Sequence, residues 1–178
     1  MNIQLKNAVR SFIFIIIIIM SVSCKKNSQN SSSNITLTET EISANVYTDS
    51  VYTKGIQVLP GKLHCEYYNL GGEGVAYHDS DSTNSGSGNL NKGTDYLSRF
   101  RVNEAVDISY TKFHDSIDNS KYNIIKPKEG QLYLGWTNAG EWITYTVDVE
   151  TTGSYLIGAM YTSNQNGQIS IETEDGDT

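Results

Sequence analysis

The sequence predicts an all-β fold, a β-sandwich, and three observations carry that reading. The stretch LYLGWTNAGEWITYTVDV, residues 132–149, runs from a short apolar segment through a glycine-turned loop into a strand whose apolar and polar residues alternate. The composition favours strands and long loops: 12 Tyr stand against 4 Phe, with 15 Gly and only 2 Pro. Short strand-like runs are separated by turn signals, and no segment sustains a helical period. At 178 residues the chain fits one domain with accessory segments.

Residues 1–23 have the make-up of an export leader. Lys6 and Arg10 precede Phe12–Met20 (FIFIIIIIM), an uninterrupted apolar run. That run is far short of the roughly 20 residues a spanning helix needs, so a cleaved signal is expected rather than a membrane span. Ser21-Val22-Ser23 places small residues before Cys24, as in a bacterial lipoprotein signal, with Ser21 where such signals usually carry Leu. Cys24 is therefore the expected lipidation site. It would anchor an exported protein to a bacterial membrane through its own acyl chains. Only Cys65 of the two cysteines then remains, and it is expected as a small buried hydrophobe in a strand. Loss of the leader takes Lys6 and Arg10 and no acid, moving the formal charge from −7 to −9. Such a balance repels nucleic acid and anionic headgroups, so no nucleic-acid partner is expected.

Residues 24–58 read as a tether with one or two edge strands near its end. Lys25 to about Asn34 is Ser/Asn-rich spacer, and Val46, Val51, Ile56 and Val58 alternate weakly. The compact domain is placed at residues 59–178, opening on the turn signal Leu59-Pro60-Gly61. Expected strands are Lys62–Tyr67, Val75–His78, Phe100–Val102, Ala105–Tyr110, Gln131–Leu134, Trp142–Val149, Tyr155–Tyr161 and Gln168–Thr173. In Trp142–Val149, Ile143, Tyr145, Val147 and Val149 share one face against Thr144, Thr146 and Asp148. Tyr155–Tyr161 is apolar on both faces, as in a central strand, and Thr151-Thr152-Gly153-Ser154 before it reads as a hairpin turn. Two polar stretches, Asp79–Asp95 and Lys112–Gly130, are long loops of the kind that carry binding function.

Trp136 lies between Gly135 and the turn residues Asn138, Ala139 and Gly140. An indole in a loop suits stacking on a flat apolar surface, such as the C–H face of a sugar ring. Trp142, opening the strand, is expected in the core. His78-Asp79-Ser80 is no catalytic relay, because neighbours on a strand point to opposite faces. Asp79–Asn84 fails the calcium-loop pattern, with Asn84 at its glycine position and Leu90 where Glu belongs. Glu73 and Glu141 are the acids a hydrolytic pair would need, although an acid beside a turn glycine, as Glu141 is, is more often surface structure.

Gly71-Gly72-Glu73-Gly74-Val75-Ala76-Tyr77-His78-Asp79, Phe100-Arg101 with Ala105-Val106-Asp107-Ile108, and Gly135–Trp142 with Tyr145-Thr146-Val147 and Gly153-Ser154-Tyr155 together resemble a family 6 carbohydrate-binding module over roughly Leu59–Thr178. The resemblance implies a jelly-roll, galactose-binding-like sandwich that binds polysaccharide or oligosaccharide without catalysis, often joined covalently to a glycoside hydrolase domain. It implies that Trp136 is a stacking platform, that Glu73 accepts from sugar hydroxyls, and that Tyr77 and Asn138 flank them. A structural calcium ion is implied at the family's Glu-x-Glu strand motif. Here that motif is His64-Cys65-Glu66, leaving Glu66 as its carboxylate. The closing strands of the family, with their second aromatic, are not reached by Glu174–Thr178. The chain is thus expected to be a fragment of a longer glycan-degrading protein or a module lacking its last strands.

Overall fold

The computed structural model describes residues 2–7, 12–14, 17–19, 45–112, 128–163 and 166–173. Cys24, the spacer 25–34 and Ile124–Ile125 of the second long loop lie outside the described residues. The fold is β-rich, with short helical turns at Cys65–Tyr67, Ser85–Leu90 and Leu97–Arg99.

Three strands come from the first 19 residues: β1 (Asn2–Asn7), β2 (Phe12–Phe14) and β3 (Ile17–Ile19). The others are β4 (Gln57–Leu59), β5 (Lys62–His64), β6 (Tyr77–His78), β7 (Ile108–Tyr110), β8 (Leu132–Thr137), β9 (Trp142–Val149) and β10 (Ile169–Thr173). One sheet has the order β10-β1-β9-β4, with β6 also on β9. A second has the order β2-β8-β7, and β3 pairs with β5. Consecutive β8 and β9 therefore belong to different sheets, and the Asn138–Glu141 turn carries the chain between them. Each of these first three strands pairs with later ones: β1 lies between β9 (Asn2↔Thr146 to Lys6↔Trp142) and β10, β2 pairs with β8 and β3 with β5.

The alternation in β9 does what its period requires. Ile143, Tyr145 and Val147 are buried, and they share one core with Ile108, Leu132 and Leu134 of the other sheet and with Leu59, Leu63, Tyr68 and Phe100. The hydroxyl face of β9 is not left to solvent alone. Asn69 Nδ2 donates to Thr144 Oγ1 and Thr146 Oγ1, and Asn69 Oδ1 accepts from Thr146 N at 2.9 Å. Tyr145 is sealed in the core, with its hydroxyl donating to the Cys65 carbonyl at 2.9 Å. Cys65 itself is buried, in a helical turn rather than the expected strand.

Residues 45–56 form a strap on the body. Asp49 fastens it, accepting from Val51 N, Tyr52 N, Tyr47 Oη and Tyr96 Oη. Burial pushes the Asp49 carboxyl up, but these donors outweigh it and hold the group below its ordinary value. Tyr47 and Tyr67 stack 5.9 Å apart, and Tyr52 lies 3.8 Å from Tyr67. Strand character in this region is confined to β4, which pairs parallel with Val147–Val149. Arg101 ties the strap to the interior. Its guanidinium lies 3.4 Å over the Tyr68 ring and 4.6 Å over Tyr47, donates to the Tyr68 and Asn69 carbonyls, and pairs with Glu104.

Several expected strands take other forms: Lys62–Tyr67 keeps strand only at β5, and Val75–His78 only at β6. Phe100–Val102 is a turn, with Arg101 at φ 47°. Ala105–Tyr110 shortens to β7, because Asp107 turns to hold the 80s loop. Tyr155–Tyr161 forms no named strand, only a bridge at Gly158, and Leu156 is 87% exposed and Tyr161 63%.

Candidate functional site

The loop following Leu70 is wound around the Gly72 carbonyl, which accepts from Val75 N and Ala76 N and so lifts Glu73 to the tip. There Glu73 is half-exposed and already engaged. Its Oε1 lies 2.5 Å from His78 Nδ1, and its Oε2 accepts from Asp79 N at 3.0 Å. The hydrogen bond with His78 lowers the Glu73 carboxyl below its ordinary value, and the same bond raises the imidazole above its own.

From Asp79 the contacts continue to the turn between the sheets. Ser80 donates from both N and Oγ to Glu141 Oε1, at 3.1 and 2.6 Å. Glu141 Oε2 accepts from Asn138 N at 2.6 Å, and Asn138 Nδ2 donates to Ser80 Oγ at 3.0 Å. Gly140 closes this turn at φ 93°, a conformation side chains rarely adopt. Glu73, Asp79-Ser80, Glu141 and Asn138 are thus one connected set, ending two residues from Trp136.

Trp136 is the last residue but one of β8 and carries a left-handed backbone, φ 49°. It is partly exposed, and its ring lies on Tyr133 with centroids 6.4 Å apart at 27°. Tyr133 is fully buried, so the indole rests on a fixed support. Trp142, expected in the core, is only half-buried, its ring 6.4 Å from His78. Tyr77 is placed in the core: it is 5% exposed, its ring packs edge-on against Tyr68, and its hydroxyl accepts from Ala105 N. Its ring and its hydroxyl are both engaged inside the fold.

Sequence reasoning missed Glu141 as a brace. It is 8% exposed rather than a surface charge. Its partner Ser80 is remote in sequence, so nothing local announces the pairing. It also missed Asp107, which accepts from Ser85 N and anchors the 80s loop. Gly86 in that loop passes so close to β7 that a Cβ would lie 1.8 Å from the Ile108 carbonyl oxygen. Burial, with Glu141 and Asp81 nearby, pushes Asp107 up to about 7; burial, with Glu141, Asp107 and Asp81, does the same for Asp79, also to about 7.

At the implied calcium position, Glu66 Oε1 is 3.0 Å from His64 Nδ1. Among the described residues no group of three or more His, Cys, Asp or Glu side chains is placed to hold a metal ion. Calcium takes six to eight oxygens, so this His–Glu pair does not by itself fit it.

No protein-family model matches the chain, and no curated protein or solved structure matches it significantly. Among the described residues no helix is long and apolar enough to cross a membrane.

Proposed function

We propose that this chain is an exported, lipid-anchored, non-catalytic carbohydrate-binding module of the β-sandwich, jelly-roll type, holding a glycan-degrading activity close to polysaccharide. Trp136 carries the reading. A tryptophan held in a left-handed conformation and backed by the buried Tyr133 ring stays partly exposed despite its backbone strain. Residues kept in such sparsely populated conformations cluster at ligand sites. The indole offers an apolar platform to a sugar face, worth on the order of 1 kcal/mol beyond its burial by analogy with aromatic pairs. Asn138 and Glu73, joined through Ser80, Glu141 and Asp79, supply polar groups at fixed positions that orient the hydroxyls.

Glu73 and Glu141 support binding better than hydrolysis. Both oxygens of each already accept hydrogen bonds from neighbouring groups of the chain. Cys24 supplies the anchor in this reading, and the catalytic partner is a domain on the same polypeptide or a neighbour on the same membrane. The test is retention of the full chain on immobilised polysaccharides by affinity electrophoresis, beside Trp136→Ala. Retention by the wild type that falls at least tenfold in the variant, with the circular dichroism unchanged, supports the site. Equal retention removes Trp136 from it, and no retention across a broad glycan panel removes the function.

A further inference from the structure

His78 stands opposite Trp142 in the ladder of β6 on β9. Directly opposed residues project from the same face of a sheet, here the face away from the buried Tyr77 and Ile143. The two rings lie 6.4 Å apart at 40°. The His78 side chain is 48% exposed, and the indole beside it is partly exposed.

Glu73 holds this imidazole by one nitrogen only. Its Oε1 meets Nδ1 at 2.5 Å, while its Oε2 accepts from Asp79 N. The carboxyl lies below its ordinary value, so at neutral pH it is ionised and can only accept. The proton of the bond therefore belongs to Nδ1, and in the neutral ring Nε2 presents a lone pair. Among the described residues no hydrogen bond engages Nε2. A fixed nitrogen beside an accessible indole is the pairing sugar recognition uses: a C–H face lies on the aromatic surface and a hydroxyl meets the polar atom. The Glu73 oxygens, by contrast, are both taken up by the chain.

We propose that His78 Nε2 is the atom that bonds a glycan hydroxyl on this side of the site, with Trp142 as the apolar surface beside it. Glu73 then acts through His78, as a positioning residue. This assignment rests on the carbohydrate-binding reading and changes the role of Glu73 within it. The same run of contacts leads on to the Trp136 platform. Asp79 N bonds Glu73, the next residue, Ser80, bonds Glu141, and Glu141 bonds Asn138 N. Trp136 and Trp142 thus flank the Asn138–Glu141 turn, each with a polar group fixed beside it.

The experiment is affinity electrophoresis of the full chain in gels containing a neutral β-glucan, a xylan or an agarose. The wild type runs beside Trp136→Ala, His78→Ala, Glu73→Ala and the His78→Ala, Glu73→Ala double variant. Both side chains are about half exposed, at 48% and 51%, so neither substitution opens the core. His78→Ala should weaken retention about fivefold, the worth of one hydrogen bond. Glu73→Ala should weaken it by no more than that. The double variant should match His78→Ala, because Glu73 has nothing to position once the ring is gone. Losses that multiply in the double variant would give Glu73 its own contact and overturn the assignment. Full retention of His78→Ala in a gel that releases Trp136→Ala overturns it too, while leaving the carbohydrate-binding reading in place. No retention of the wild type in any gel removes that reading and the role of His78 with it. NMR of the imidazole nitrogens separates contact from a merely structural role. A soluble oligosaccharide of the retaining polymer should shift the wild-type Nε2 resonance as it saturates the protein, and an unshifted Nε2 at saturation overturns the contact.

Discussion

Trp136 pays for its position in backbone energy, since a left-handed conformation at a non-glycine residue costs about 1–3 kcal/mol. Two substitutions separate that cost from the ring. Trp136→Ala and Trp136→Gly both delete the indole, but only glycine relieves the backbone. The glycine variant should be more stable than the alanine variant by about 1 kcal/mol in urea unfolding. Both should lose the same tenfold or more in glycan retention, about 1.4 kcal/mol. Equal stabilities would show that the Cβ at this position is not strained. Glu141 invites a second residue-level test. Glu141→Gln keeps the shape but turns a donor toward groups that themselves donate, Ser80 or Asn138. Hydrogen bonds to a charged acceptor are worth about 1.5–3 kcal/mol. The variant should lose stability in that range and exchange faster at the Ser80 and Asn138 amides, which amide exchange resolved by NMR reads directly.

Among the elements, the strap at residues 45–56 depends on one carboxylate. Asp49 draws two backbone amides and two phenols into a single hub, and the Tyr47, Tyr52 and Tyr67 rings stack above it. Asp49→Ala should release the strap, with fast exchange at 51 and 52 while 142–146 stay protected. Because the folded Asp49 carboxyl lies below its unfolded value, its contribution is present above the ordinary carboxylate range. It is lost as pH falls through the folded value. The strap should therefore loosen first on acidification below about pH 4. Uniform loosening of strap and sheet together would place its stability elsewhere.

Across the whole molecule Asp79 and Asp107, which flank and anchor the 80s loop, work in the opposite sense. Asp79 and Asp107 are held near 7 in the fold, against an ordinary carboxyl value of 3.8. Between about pH 4 and 7 the folded state keeps protons that the unfolded chain has released, so stability falls as pH rises through that window and levels off above it. The His78 imidazole, raised by Glu73, adds in the same direction, because its stabilisation is lost as pH passes its folded value. The urea midpoint should be higher at pH 5 than at pH 8, and Asp107→Asn should remove a large part of the difference. A midpoint that rises with pH would contradict the placement of these carboxyls.

The β-rich character, the β9 alternation and the burial of Cys65 were legible in the residues, because each depends on a local period or on side-chain polarity alone. Trp136 stood out for the same reason, as an indole beside turn residues. The rest required partners distant in sequence. Tyr77, set beside the ligand only by the family resemblance, is engaged by the Ala105 amide and the Tyr68 ring, and Glu141 looked like a surface acid until Ser80 reached it from another loop. Tyr155–Tyr161 has the sequence of a strand but forms only a bridge at Gly158, because strand formation depends on which partner segments tertiary structure brings alongside. Periodicity by itself determined which residues could enter sheets and which face each would bury. Which edges met, and which polar groups found one another, only the tertiary structure decided, since hydrogen bonds between distant segments have no signature in either segment alone.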